Sequence, residues 1–507
     1  MKQNKKILTA AVMMIAAMTV LSGYLGAQQT LTASDLARAL GGSARVNGNT
    51  VTLTSGVNVE RNLTVPAGVT LDLTALEENR SLILKDGVML TVNGAINTRG
   101  HGDHGNGWVN GSLSIDNGIV VINGNGTINL KSKGRLINIG RNSKLTLDGV
   151  TFIGIADNNY SLVNVENDGE FVMKSGKITG NTINGNEWTG GGGVNIGNNA
   201  TFTMKSGRIT GNTINSNDWA SGGGVNIRNN ATFIMEGGEI SSNIAIGTRG
   251  GAGGGVEVNE RSTFTMKNGT ISNNSARGGS DWARGGGVSI NNDAMFTMGS
   301  GTITDNNANS GRGGAGGGVF IGGDGTVFTM KSGTISDNTA SGNDEAFGGG
   351  VSADGNRVTF TMLGGVISGN TAGTGGGVFI RDMNSSRATF NFSGGTITEN
   401  IVQGRGHGGG GVCIDMGGTF TMSGGAISSN NASSGGGVIL VWGAVFIMQG
   451  GTITGNTATQ NGAQLAYGGN ATARWGTGGT YTRGSVSQSG GSNIGTTNDT
   501  LIAVPRR

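Results

Sequence analysis

Three acidic-aromatic pairs stand out among the residues whose types suit chemistry: Glu187-Trp188, Asp218-Trp219 and Asp281-Trp282. Trp188 and Trp219 are 31 residues apart, and Trp219 and Trp282 are 63 apart. Phe347, after Asp344 and Glu345, falls close to the same phase. An indole or phenyl face beside a carboxylate suits a sugar ring or a protein partner, because the ring stacks while the carboxylate accepts hydroxyl protons. The same residues can instead serve the fold, each Trp turning back to cover its Gly-rich loop. A second cluster, His101-Gly102-Asp103-His104, holds three side chains of the kinds that ligate Zn²⁺ or another metal. The only other histidine is His407, so the competing reading of this cluster is a polar loop tip. Gly322-Gly323-Asp324-Gly325 is like one calcium-binding nonapeptide, but it does not recur in tandem.

The elements that must carry these residues are set by composition. Of 507 residues, 102 are Gly and 2 are Pro, with 35% hydrophobic and 13% charged residues. Gly without a three-residue period and with so little Pro excludes collagen, and the low charge excludes a solvated disordered polymer. The net charge is +3, and without Lys2, Lys5 and Lys6 it is near zero, so no basic stripe points to nucleic acid. Those lysines belong to residues 1–27, which have the plan of a secretory signal: a charged start, an apolar run from Ile7 to Leu21, then small residues with cleavage expected near Gly26-Ala27. The run is short for a membrane span, and Tyr24 stands where a lipoprotein would carry Cys, so the mature chain is expected to be exported and to lack a transmembrane segment. A lone Cys413 allows no disulfide within the chain.

One unit recurs, with consensus A-T-F-T-M-K-S-G-T-I-T-G-N-T, a variable stretch, then G-G-G-V-x-I. Its Phe falls at 171, 202, 233, 264, 296, 328, 360, 390, 420 and 446, with spacings of 26 to 32. The Ile seven residues after each Phe is constant, as are the Gly five after Phe and the Asn three after that Ile. Alternation within V-x-I, F-x-M and T-I-T puts their apolar residues on one face of three short strands. Gly and Asn between them accept left-handed backbone. Three strands that cannot bury a face alone must stack on identical coils, about 4.8 Å apart. The expected fold is all-β: a single-stranded right-handed parallel β-helix (β-solenoid, pectin-lyase-like) with three strands per coil and small N- and C-terminal caps. Phe171, Phe202, Phe233 and Phe264 are predicted to stack inside, and Asn181, Asn212, Asn243 and Asn274 to form an amide ladder.

The same phase runs upstream through Ile137, Leu145 and Phe152, and through Leu113, Val121 and Ile128, with an approximate turn from Leu82 through Leu90 to Ile96. The domain plan is therefore a signal peptide (1–27), an N-terminal cap (28–56) with a short helix at 34–40, irregular coils (57–162), tandem repeats (163–460), and a C-terminal cap or secretion tail (461–507). Solenoid ends need such caps because an uncovered coil exposes core and strand edges.

F-T-M-x-x-G-x-I-x-x-N with G-G-G-V resembles the repeat of right-handed parallel β-helix, adhesin-like surface proteins of spirochaetes and other bacteria. It is more distantly similar to the repeats of chlamydial polymorphic outer-membrane proteins, which are autotransporters. The resemblance implies a surface location, extracellular or outer-membrane associated. Only about 50 residues follow Ile453, too few for a membrane barrel of even eight strands.

Extra length enters at one corner only, between T-I-T and the next V-x-I, and segment 98–111 enters there too. A ridge of loops along one edge is the expected binding face. The outward residue of V-x-I is Asn195, Asn226, Glu257, Ser289, Phe320, Ser352, Phe379, Cys413 and Ile439 in turn. One carboxylate among nine offers neither the clustered Asp and the Arg or Lys base of a lyase nor the paired carboxylates of a hydrolase. Its apolar members read as a mild exposed stripe, suited to contact with another surface, self-association included. Outward T-x-T pairs such as Thr201/Thr203 and Thr263/Thr265 resemble the face of an ice-binding protein, but Ile234, Met295 and Val327 interrupt them. The expected function is an exported adhesin-like or structural surface protein that binds a surface glycan or protein. The alternatives are a polysaccharide-binding or polysaccharide-cleaving protein, and ice binding. No catalytic residue and no cofactor is assigned.

Overall fold

The computed structural model describes residues 31–475 except 104–107, 110, 116, 187–188, 344, 383–387, 404–407 and 469–470, and adds 486–489. Residues 1–27, Glu187, Trp188, His104, Asp344 and most of the tail lie outside this set. The chain is a right-handed parallel β-solenoid built on three long sheets. Strands such as Thr201–Met204 form a 15-stranded sheet, those such as Arg208–Thr210 a 16-stranded sheet, and those such as Val225–Ile227 a 13-stranded sheet. Pairing joins like to like: Phe202 lies on Phe233, Ile209 on Ile240 and Val194 on Val225. The rings from Phe171 to Phe446 stack with centroids 4.7–4.9 Å apart. That is the strand spacing itself, so ring stacking and ladder hydrogen bonds are satisfied together.

The predicted amide ladder forms and is longer than the repeats. Asn212 Nδ2 donates to Asn243 Oδ1 at 3.1 Å, and Asn243 Nδ2 to Asn274 Oδ1 at 3.1 Å. The column starts at Asn158, whose Nδ2 donates to Asn181 Oδ1 at 2.8 Å, and ends where Asn456 Nδ2 donates to Gln464 Oε1 at 2.8 Å. The constant Gly five residues after each Phe is needed twice over. At Gly207 φ is +92°, and a Cβ would sit 2.7 Å from Met173 Cε and 2.8 Å from the Gly176 carbonyl oxygen of the preceding coil.

The N-terminal end is closed by helix α1 (Ala33–Leu40), which buries Ala33, Leu36 and Leu40 against the first strands. Thr32 and Asp35 cap it reciprocally. Ala44–Asn47 then pairs antiparallel with Thr50–Leu53 and covers the edge of the 16-stranded sheet. At the other end the stack continues into the segment read as cap or tail, through Leu465–Gly468, Thr472–Trp475 and Val486–Ser489. Among the described residues no helix is long and apolar enough to cross a membrane.

Three expectations are corrected. Val121 does not face the core. Val120 and Ile122 do, and Val120 pairs with Leu145. In the run Ile119-Val120-Val121-Ile122 no polar residue marks a face, so the neighbouring coils choose the register. The ridge is not made of loops either: each middle coil adds two strands, giving a 10-stranded and a 6-stranded parallel sheet. Ile183, Ile214, Ala220 and Ala245 pack together there. Nor is the outward V-x-I stripe exposed. Phe320, Phe379, Cys413 and Ile439 are buried with Ala315 and Phe347 in a second apolar core, over whose first part the outermost sheet folds back.

Candidate functional site

The ridge positions its side chains by the same stacking. Thr182–Gly185, Thr213–Ser216 and Ile244–Gly247 lie in register in the first added sheet. Trp219–Ser221, Gly250–Ala252 and Trp282–Arg284 follow one another in the second. Trp219 therefore lies over Gly250, where an added Cβ would be 2.5 Å from Trp219 Cζ3, and Trp282 lies over Gly313 in the same way. Both indoles are half-buried. Asp218 is ion-paired with Arg249 and Asp281 with Arg312, each in the following coil. The acidic-aromatic pairs thus clasp the next coil, with both indoles left partly open to solvent.

Phe347 is buried between Trp282 and Phe379, with ring centroids 5.4 Å and 4.3 Å away. Arg381 lies across the rings of Phe347 and Phe379 and makes a two-point pair with Asp354, Nε to Oδ1 at 3.1 Å and Nη2 to Oδ2 at 2.5 Å. This end of the second core is filled.

His101 is buried, and its Nε2 lies 2.8 Å from the Leu113 carbonyl oxygen, so this nitrogen carries the proton. Burial lowers its pKa and favours the neutral ring. Gly102–Asp103 pairs with Trp108–Val109 as a small antiparallel ribbon. Among the described residues no three His, Cys, Asp or Glu side chains gather as metal ligands. The Thr residues of T-x-T are half-exposed on their sheet, in rows broken at Ile234, Met295 and Val327 as the sequence implies.

The feature that sequence reasoning passed over lies between the two Trp-bearing coils. A cleft of about 220 Å³ opens there, bounded by Trp219, Glu257, Asn259, Arg284, Asn291 and Asn292. It exists because the intervening coil carries only Gly250-Gly251-Ala252 in the outer sheet. Glu257 is 2% exposed. Its Oε1 accepts from Asn291 Nδ2 at 3.0 Å, while Oε2 is buried without a hydrogen-bond partner. Burial holds its carboxyl proton up to about pH 8, against the opposing influence of the nearby Ser289 hydroxyl, the hydrogen bond from Asn291 and the charge of Arg284. One coil earlier a second amide column, Asn138, Asn164, Asn195 and Asn226, donates stepwise along the stack and ends at Asn226, whose Oδ1 also has no partner. Arg284 spans the cleft, 5.2 Å from the Trp219 ring centre and 5.4 Å from that of Phe320. A signal was present: Glu257 is the single carboxylate in a column otherwise of amides, hydroxyls and apolar groups. Its burial was not visible because the covering strand comes from the insert. Compared with protein-family models, with curated proteins and with solved structures, the chain matches none.

Proposed function

We propose that the protein is an exported, adhesin-like or structural surface protein, a stiff solenoid whose ridge contacts glycans or proteins outside the cell. The observation that carries this reading is where variation is allowed. The inward residues of the three core sheets repeat closely from coil to coil, whereas the second added sheet reads Trp-Ala-Ser, Gly-Gly-Ala, Trp-Ala-Arg, Gly-Gly-Ala and Glu-Ala-Phe in succession. A face that only has to pack can stay uniform; a face that meets another molecule is free to differ. The signal-like residues 1–27 and the resemblance of the repeat to spirochaete-type adhesin-like proteins support the same reading. Hydrolysis of a glycosidic bond calls on two carboxyl groups, and the cleft beside Trp219 presents one. The test is expression of the full chain with its own leader in a bacterial host, followed by protease treatment of intact cells and a glycan and protein array with the purified chain. Protease-accessible chain and array binding, without release of sugar products, are expected. Protein confined to the cytoplasm, or cleavage of a polysaccharide, would overturn the reading.

A further inference from the structure

We propose that the cleft between Trp219 and Arg284 is a binding site for one carboxylated sugar ring, with Arg284 taking the carboxylate and Glu257, Asn291 and Asn292 taking ring hydroxyls. The inference rests on the reading of the ridge as a binding face and adds to it a place and a ligand class.

The repeat supplies its own comparison. The outer sheet carries Gly-Gly-Ala twice, at Gly250–Ala252 and Gly313–Ala315. The outward V-x-I residue beneath the second is Phe320, which packs on Ala315 and Phe347 and fills the space. Beneath the first it is Glu257, and the space stays open. A fold that needed only filling already has a working solution two coils away.

The groups left in the open space are unsatisfied. Taken as acceptors, Glu257 Oε2 and Asn226 Oδ1 are buried without partners, and the two residues are neighbours in register, so the proton that Glu257 keeps is the one donor offered to both Asn226 Oδ1 and a ligand. Such atoms cost stability, and they persist where something else pairs them. Arg284 differs from the other ridge arginines in the same sense. Arg249 and Arg312 on the ridge, like Arg381 on the Val-bearing sheet, each face an aspartate, and Arg277 donates to Ser275, whereas among the described residues no carboxylate is ion-paired with Arg284, the one ridge arginine that borders the cleft. Its guanidinium is held between two aromatic rings, which fixes its plane and leaves its N–H edge for a ligand carboxylate. Glu257 keeps its proton at neutral pH and so does not neutralise Arg284, and its O–H and carbonyl oxygen suit a hydroxyl that both donates and accepts. The volume is below the roughly 300–1,000 Å³ of sites for drug-sized molecules, which fits one ring and not a chain.

The test is calorimetric and ligand-observed NMR titration of the full chain with methyl β-D-glucuronide and the methyl glycoside of N-acetylneuraminic acid, with methyl β-D-glucoside as the neutral control. At least one carboxylated probe is expected to bind, and the neutral probe to bind at least about tenfold more weakly, the usual scale of one charge-assisted contact. Glu257→Phe, which copies Phe320, is expected to abolish binding. Arg284→Met is expected to weaken it about tenfold or more with the neutral probe unaffected. Thermal unfolding of each variant reports whether it is folded, and Glu257→Gln keeps the shape should Glu257→Phe fail to fold. Absence of binding by both carboxylated probes, equal binding of the neutral probe, or unchanged binding in folded Glu257→Phe would overturn the proposal. Array binding to the ridge with a silent cleft would defeat this inference alone. A working cleft on a chain found only inside the cell would defeat the surface reading alone.

Discussion

Asp218 Oδ1 lies 3.2 Å from Arg249 Nη1 in the following coil, and the same register lays Trp219 over Gly250. Asp281 and Arg312, with Trp282 over Gly313, repeat the arrangement two coils on. Acid-aromatic coils and Arg-Gly coils therefore alternate, each pair locking one coil to the next. Both ion pairs are solvent-exposed to an extent that limits each to a few tenths of a kcal/mol, so the indole over bare glycine is the firmer part of the clasp. Gly250→Ala is expected to push Trp219 off its seat and change its tryptophan emission, with a loss of roughly 1–3 kcal/mol in urea unfolding from overpacking. Emission identical to wild type would show that Trp219 does not rest there.

The buried amide column is the most demanding part of the core. Asn274 accepts from Asn243 N and Nδ2 and donates to the Ile240 carbonyl oxygen and to Asn306 Oδ1, at 2.9–3.1 Å. Asn274→Ala leaves these partners unpaired and is expected to cost about 2–4 kcal/mol. Asn274→Asp is expected to cost more at pH 7 than at pH 4, because a buried anion would face Asn306 Oδ1. Chemical denaturation at the two pH values checks both.

Glu257 gives stability a pH dependence with a definite sign. Its carboxyl has an ordinary value of 4.5 when unfolded and is raised to about 8 by burial when folded. Between these values the folded chain keeps a proton that the unfolded chain has lost, so stability falls as pH rises through this window and levels off above it. The total is on the order of a few kcal/mol. In Glu257→Gln this fall should be lost, leaving only the rise up to about pH 6.5 that buried, neutral His101 contributes, as read from urea midpoints between pH 4.5 and pH 8.5. A wild-type slope in the variant would assign the effect to another group.

Cys413 lies in the second core beside Phe379 and Ile439, fully buried, and burial pushes its thiol pKa up. It is expected not to react with a disulfide reagent in the folded chain and to react stoichiometrically in denaturant. Fast reaction of native protein would mean that the second core does not seal the V-x-I face at this coil.

Much of the fold was legible because its signals are local. The Phe stack, the amide column and the Gly five residues after each Phe come from alternation and turn chemistry repeated at fixed phase, and α1 is announced by Thr32, Asp35 and the spacing of Leu36 and Leu40. A trace of the added sheets was also present, since an apolar residue recurs two positions after the constant Asn, at Ile183, Ile214, Ala245 and Ala276. The candidate site was less legible. Trp219 was singled out, but Arg284 was not, and Glu257 entered only as the lone carboxylate of an outward column.

The sequence by itself determined the coil, its period, its inward ladders and the single edge at which length is allowed to vary, because each depends on residues a few positions apart. Tertiary structure alone decided which faces stay wet. Whether Phe379 is surface or core, whether Val120 or Val121 points inward, and whether Glu257 is solvated or sealed beneath Trp219 all depend on where an insert folds and which coil lies above. These contacts join residues some thirty positions apart or more, and no local pattern encodes them.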